Sequence, residues 1–314
     1  MPSLYVLGTI VLDTAVRPVD SLPSWGSAQN VESISRHLGG NGAVAAYAAA
    51  RSGASVLLAG AVGKDDAGEM VLDRLRFGGV DTSRVQMLAD TATASTVALI
   101  RPDGERLFLQ DLGASAQISS ADVGFDDLGD VTHFHYGSIF SLAGARESAG
   151  RILARARGAG LRVSVDLDWD PRSKWLDTLG PLAPLIDLLF LNETEARMLT
   201  GAEGRDAGRF LLTRGFREVV LKRGGAGCSY FSLQECFDEP AFTVSPVDAT
   251  GAGDCFCGAF LAAELRGELS RGSARFANAA AALSTQSVGA ADGAPDRGKT
   301  QQLLTDDTSE ASSA

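Results

Sequence analysis

Short continuous apolar runs recur along this chain, separated by longer stretches with helical spacing. Tyr5 to Gly8, Ser55 to Gly60, Thr132 to Tyr136, Arg162 to Asp166, Leu188 to Leu191 and Glu218 to Lys222 have strand length. Runs of this kind fit strands buried on both faces of a parallel sheet. Between them, Gly42 to Arg51, Ala67 to Arg76, Leu142 to Gly158, Glu193 to Thr200 and Asp206 to Arg214 read as crossover helices. The alternation predicts a doubly wound α/β fold, mostly parallel, with its ligands at the carboxyl ends of the strands.

Two regions break that rhythm. Val11 to Ser35 is rich in turn residues (Pro18, Pro23, Gly26) yet carries β-like fragments. Thr93 to Leu112 reads as a hairpin, with Ser95 to Ile100, a turn through Pro102-Asp103-Gly104, and then Arg106 to Leu109. Together they suggest a small sheet attached to the main domain, able to cover a site or pair with another subunit; an ordinary edge hairpin is the plainer reading. The Ala-rich stretches Asp254 to Arg266 and Ser273 to Ser287 predict packed closing helices. From about Asp296 the chain turns polar and acidic, and a partly disordered tail is expected over 296–314.

Composition narrows the function classes. With 45% hydrophobic and 21% charged residues in 314, the chain is an ordinary globule with a sizeable core. A net charge of −11 argues against nucleic acid or an anionic membrane as partner, so any phosphate site must be built locally. Met1 to Tyr5 lacks a signal peptide's basic start and apolar core, no apolar run reaches spanning length, and a cytoplasmic location is expected. Cys228, Cys236, Cys255 and Cys257 form no dense framework; the C-x-C pair reads as buried small residues rather than a metal site. His133 and His135 alternate in an apolar run, which favours a structural or substrate-edge role over metal.

The most informative stretch is Asp248-Ala249-Thr250-Gly251-Ala252-Gly253-Asp254, which runs into a compact apolar helix. The first N–H groups of a helix lack intrahelical partners and carry about half a positive charge. Gly251 and Gly253 let that backbone approach an anion closely. Asp254 then sets a carboxylate beside the anion, as a general base for an attacking hydroxyl would require, or else it caps the helix. Earlier, Gly39-Gly40-Asn41-Gly42 precedes a helix of small residues, and Asn41 offers both donor and acceptor to a hydroxylated ligand. Asp13 follows the first strand and could accept two sugar hydroxyls, or be a polar loop residue. Asn192 and Glu195 follow a strand, where they suit a hydrated Mg²⁺, a capping box, or both. Lys222-Arg223-Gly224-Gly225-Ala226-Gly227 also ends a strand and offers donors and cations to phosphates, or a tight hairpin.

In this order the motifs resemble the ribokinase-like (PfkB) family of carbohydrate kinases over residues 4 to 295. Gly39 to Leu75, with Gly60-Ala61-Val62-Gly63-Lys64-Asp65-Asp66-Ala67-Gly68, looks like the family's other signature. The resemblance implies one kinase domain over 1–295, with lid strands inserted at about 11–35 and 93–112. By it, Asp254 would be the base, and Gly251, Ala252 and Gly253 the anion hole. Asp13, Gly39, Gly40 and Asn41 would bind sugar. Asn192, Lys222, Gly224, Gly227 and Asn278 would bind ATP, with Glu195 near Mg²⁺ through water. Asp248 and Thr250, with backbone oxygens around Ser284 to Ala290, are candidates for a monovalent cation such as K⁺. A homodimer through the lid is a further implication.

The chain departs from its pattern in places. Asn41 and Val44 stand where ribokinases proper carry Lys and Asn, which points to a differently shaped acceptor pocket. Asp168 stands where some relatives carry Asn in an Asp-x-Asn-x-x-Arg run, and Arg172 reads as a structural partner of Asp166 or Asp170. The expected activity is ATP- and Mg²⁺-dependent phosphorylation of a hydroxymethyl group on a small sugar. The alternatives are a nucleoside kinase, with Phe134, His135, Tyr136 and Trp169 as a base slot, and a non-catalytic sugar or nucleotide sensor. A dinucleotide-binding oxidoreductase is disfavoured because Gly8 stands alone after the first strand.

Overall fold

A computed structural model describes residues 3–103 and 105–311. Met1, Pro2, the turn residue Gly104 and residues 312–314 of the expected tail lie outside the described residues. A nine-stranded sheet runs in the order Cys236–Glu239, Cys228–Ser232, Glu218–Lys222, Leu188–Asn192, Arg162–Asp166, His133–Tyr136, Leu4–Leu7, Val56–Gly63, Val80–Leu88. Neighbours pair in parallel from Glu218–Lys222 onward, and the first two strands pair antiparallel. Helices cover both faces, so the apolar runs have no wet side. In Leu4–Leu7, for example, Leu4 and Val6 enter one core cluster while Tyr5 and Leu7 enter the other. The doubly wound α/β fold is therefore the one that the apolar runs predict.

Leu4–Leu7 opens the chain but lies between Val56–Gly63 and His133–Tyr136, so chain order reverses beside it. Such a switch point leaves a crevice at the strands' carboxyl ends. Helix Asn41–Arg51 starts directly over it. A Cβ on Gly8 would come within 2.4 Å of Gly42 Cα, and one on Gly137 within 3.2 Å of the same atom, so bare backbone meets bare backbone. The same helix packs against Ala252–Leu265, where a Cβ on Gly258 would lie 2.2 Å from Ala45 O. The alanines and glycines of both helices thus have one physical reason: larger side chains would hold the two axes apart.

A separate four-stranded sheet has the order Ser33–Gly39, Val11–Arg17, Ala94–Ile100, Arg106–Asp111. It combines the two regions that interrupt the βα rhythm. The edge strand Val80–Leu88 carries no apolar run, since Asp81, Thr82, Ser83, Arg84 and Gln86 interrupt it, and the sequence pattern does not mark it. The expected helix Leu142 to Gly158 is two helices, Ala143–Glu147 and Ala149–Gly158. They part at Ser148, whose hydroxyl donates back to Gly144 O at 3.1 Å.

The expectation of a disordered segment from Asp296 does not match the structure, where Arg297–Ala311 is helical. Asp296 Oδ1 accepts the Lys299 N–H at 2.9 Å, Thr300 is buried, and Arg275 pairs with Asp307. Tertiary anchors hold this segment in place, and a composition rule does not register them. Among the described residues no helix is long and apolar enough to cross a membrane. Gly258→Ala should destabilise the fold by about 1–3 kcal/mol through overpacking against Ala45. Gly158→Ala, with nothing within 4 Å of its new methyl, should stay within about 0.5 kcal/mol in the same urea titration.

Candidate active site

Two cavities meet at Asp254. The smaller, about 150 Å³, is lined by Asp13, Asn41, Thr96 and Asp254, and by Phe108, Gln110 and Asp111 from the small sheet. The larger, about 740 Å³, runs past Asp166, Asn192, Glu195, Lys222, Gly224, Gly227 and Asn278. Asn41, Gly251 and Asp254 line both. A small molecule in the first and an extended one in the second would therefore touch across the Asp254 carboxylate. Strand ends explain the larger groove: Asp166, Asn192 and Lys222 are the last residues of three adjacent parallel strands.

Asp254 sits in the first turn of Ala252–Leu265. Gly251 precedes that helix in the left-handed region at φ 71, and no side chain caps it. A Cβ there would press within 2.5 Å of the Ala290 methyl, so only glycine makes this turn. Ala252 N–H makes a long 3.3 Å bond back to Ala249 O. Asn41 Nδ2 donates to Asp254 Oδ1 at 3.1 Å. Asn41 is itself held by Thr9, whose Oγ1 accepts the Asn41 N–H at 3.1 Å and contacts Ser138 Oγ at 3.1 Å. Gly40 allows this approach, with φ +90 and a Cβ position only 2.5 Å from Thr9 O.

Below the junction lies a carboxylate-rich floor with one lysine. Lys222 Nζ donates to both Asp166 oxygens at 2.8 Å, and Cys257 Sγ donates to Asp166 at 3.2 Å. Burial pulls the Lys222 ammonium down, but Asp166 and its acidic neighbours hold it well above its usual range. Burial raises Asp254 to about 7, with Asp166 adding to the rise and Lys222 and the Asn41 amide opposing it. Glu195 is pushed up to about 8, again chiefly by burial, with Lys222 opposing. Asp13 is raised to about 6 by burial against a Thr96 hydrogen bond. Gly39 leaves room for that carboxylate: its Cβ would fall 2.0 Å from Asp13 Oδ2.

The remaining expected residues divide by what their side chains do. Asn192 and Glu195 form the capping box, with Asn192 N–H to Glu195 Oε2 at 2.8 Å and Glu195 N–H to Asn192 Oδ1 at 2.9 Å, and both line the groove. Among the described residues no cluster of His, Cys, Asp or Glu has the geometry of a protein-only metal site. An oxygen pair beside a phosphate-sized groove does fit Mg²⁺, which keeps several waters. Gly227, at φ 88, admits Glu239 O, which a Cβ would meet at 2.1 Å. Asn278 lines the groove, but its amide donates to Glu239 O and Pro240 O at 3.0 Å, so it fixes the wall.

Two expectations need correction. Asp248 and Thr250, candidates for a monovalent cation, instead hold Arg106 of the small sheet, with Nη1 to Thr250 Oγ1 at 2.5 Å and to Asp248 Oδ1 at 3.5 Å. Phe134, His135 and Tyr136 are fully buried and line neither cavity, because their strand is central; Trp169 is exposed but packs edge-on against Trp175. They form no base slot. Of the two partners expected for Arg172 it meets Asp170, its N–H donating to Oδ1 at 2.9 Å, while Asp166 pairs with Lys222. His133 and His135 are structural, both meeting Ser164 Oγ at 2.9 and 2.8 Å. Phe108, Gln110 and Asp111 were not singled out from the sequence. For Phe108 and Gln110 the even-numbered face of the strand, once a cover was suspected, was the available signal; Asp111, at the strand's end, carried none.

An Asp with a raised folded-state pKa contributes stability that is complete below its unfolded value near 3.9 and is lost as pH rises through the folded value. Asp254→Asn should therefore raise the thermal midpoint above pH 7 by about 2–4 °C per kcal/mol recovered, and little at pH 4. Carboxyl NMR should show Asp254 titrating about 7 and falling in Asp166→Asn.

Comparison with known proteins agrees with this geometry. The profile of the pfkB family carbohydrate kinase matches residues 1–297. Fructokinase-1 of Zea mays is 29% identical over 283 residues, covering 85% of this chain and 88% of the relative. Fructokinase-1 of Oryza sativa subsp. japonica is 31% identical over 233 residues, covering 71% and 72%. Among solved structures, Arabidopsis thaliana ribokinase complexed with ribose and ATP superposes with a TM-score of 0.84 at 26% identity, covering 96% of this chain and 98% of that one. An E. coli protein assigned as a ribokinase II, in complex with ATP and Mg²⁺, gives a TM-score of 0.84 at 26% identity over 97% and 99%. A carboxylate between two cavities, on a ribokinase scaffold matched from end to end, places this chain in the pfkB family of carbohydrate kinases.

Proposed function

We propose that the chain transfers the terminal phosphoryl group of ATP to a hydroxymethyl group of a small, uncharged sugar. The observation that carries this reading is the position of Asp254 on the boundary between the two cavities. The small cavity takes the sugar. Asp13, Asp111 and Asp254 line it without a lysine or arginine among the lining residues, which disfavours sugar acids and sugar phosphates. At about 150 Å³ it suits a single sugar ring better than a whole nucleoside.

In this mechanism Asp254 accepts the proton of the attacking hydroxyl, and Asn41 holds the carboxylate's other side in register. A pKa about 7 suits a base at neutral pH. Gly251, Ala252 and Gly253 present backbone at the helix's positive end to the phosphoryl oxygens. Lys222 keeps its charge on Asp166, and a Cβ on Gly253 would lie 3.5 Å from Lys222 Nζ, so that charge sits directly under the same turn. Asn192 and Glu195 would hold Mg²⁺ through water, and the ion would neutralise phosphate charge when bound. Gly224 leaves the groove wall open to the nucleotide, Gly227 lets the wall close onto the Glu239 backbone, and Asn278 braces it.

An ADP-release screen of neutral ketoses and pentoses, sugar acids, sugar phosphates and nucleosides tests the assignment. Turnover should be confined to the neutral sugars, and Asp254→Asn should lower it about 10²–10⁴-fold with little change in nucleotide binding. Equal turnover of a sugar acid, or near-normal turnover in Asp254→Asn, would refute it.

The lid also supports a homodimer. On its outer face Ile34, Val16, Leu99 and Leu107 lie side by side in register, and Leu109 is 60% exposed. An apolar strand face of this kind, left in water, is an association surface. Light scattering should give twice the chain mass, and Leu107→Asp with Leu109→Asp should return the monomer.

A further inference from the structure

Arg106 opens the lid strand Arg106–Asp111. Alternate residues of a strand share a face, so Arg106 looks the same way as Phe108 and Gln110, which line the sugar cavity. Arg106 reaches on to the loop before the anion-hole helix and meets Thr250 Oγ1 at 2.5 Å and Asp248 Oδ1 at 3.5 Å. That loop is built around Asp248, whose side chain is 7% exposed. Its Oδ1 accepts the Thr250 N–H at 2.9 Å and the Thr250 hydroxyl at 2.6 Å, and its Oδ2 accepts Gly289 N–H at 3.0 Å. Thr250 and Gly289 thus satisfy both Asp248 oxygens, and Arg106 adds its charge to Oδ1 and ties the Thr250 hydroxyl to the lid strand. The bonds around Asp248 bring the chain to Gly251 in the left-handed turn that aims the helix's first amides.

We propose that Arg106 is a positioning residue for phosphoryl transfer, acting through Thr250 and Asp248 on the Gly251–Gly253 backbone. The strand that roofs the sugar thereby also sets the donors that meet the phosphoryl group. The proposal rests on reading that backbone as the anion hole. Arg106 does not line the nucleotide groove, so its effect falls on the transfer step and not on nucleotide binding. Displacing a pre-set donor by about 1 Å is enough to cost roughly 10²-fold.

The experiment is a double-mutant cycle read in steady-state kinetics, with a thermal midpoint for each variant. Arg106→Met and Thr250→Val should each lower kcat about 10–100-fold with nucleotide KM within about twofold, and the double variant should be no slower than the slower single one. Arg106→Lys, which keeps the charge and the fold, should recover part of kcat. Wild-type kcat in Arg106→Met, a parallel rise in nucleotide KM, or fully additive losses would each overturn the proposal. Asp254→Asn measured alongside separates the two levels. If it is inactive while Arg106→Met is normal, only the role of Arg106 falls; if it turns over normally, the underlying reading falls.

Discussion

The close approach of two small-residue helices is the constraint on which the site depends. Asn41–Arg51 and Ala252–Leu265 touch where Gly258 faces the Ala45 carbonyl, and the first of them rests on Gly8 and Gly137 through Gly42. Each contact is backbone on backbone. It brings the starts of both helices to one point, where the Asn41 amide reaches the Asp254 carboxylate at 3.1 Å. With a leucine in place of any of these glycines the axes would separate by more than a hydrogen bond can span. The small residues at the contact between the two helices are therefore a requirement of the site as much as of the core.

That geometry creates an electrostatic difficulty, which a single lysine offsets. Asp166, Glu195 and Asp254 converge in a poorly solvated space, and like charges there disfavour one another. Lys222 neutralises Asp166 by a bond to each of its oxygens. Asp254 is left close to its titration point, and Glu195 above it. Burial and Asp166 raise Asp254 while Lys222 and the Asn41 amide oppose the rise, and a cation bound beside the cluster would favour its ionised form.

Much of the scaffold was legible because it is written in local terms. Arg162–Asp166, Glu218–Lys222 and Glu193–Thr200 lie where their apolar runs and cap residues put them. Asp254, Asn41 and Lys222 stood out through the glycines near them, and Asp13 through its place after the first strand, though it lies within strand Val11–Arg17 and not in a loop. The pairing of Lys222 with Asp166 was not legible, because 56 residues separate them and only the sheet order makes their strands near neighbours. The terminal helix Arg297–Ala311 was hidden for a similar reason: a polar segment held by Arg275 and by a cap at Asp296 carries no periodicity of its own.

The small sheet shows what kind of information a motif search passes over. Its outer face carries Ile34, Val16, Leu99 and Leu107 side by side, while the inner face buries Ala15, Ala98 and Ile100 and, on Arg106–Asp111, turns Arg106, Phe108 and Gln110 toward the crevice. Phe108 and Gln110 line the small cavity, and Arg106 meets Thr250 and Asp248 in the loop ahead of helix Ala252–Leu265. None of these residues needs glycine freedom or metal geometry, so none stands out singly. Their meaning comes from the period of two and from the sheet's placement over the crevice. Because phosphoryl transfer must exclude water, a cover is needed in any case. The wall of the small cavity is thus shared between the cover, through Phe108 and Gln110, and the helix Asn41–Arg51 beneath it, through Asn41 and Val44, so its shape can vary from either side while the sheet stays the same.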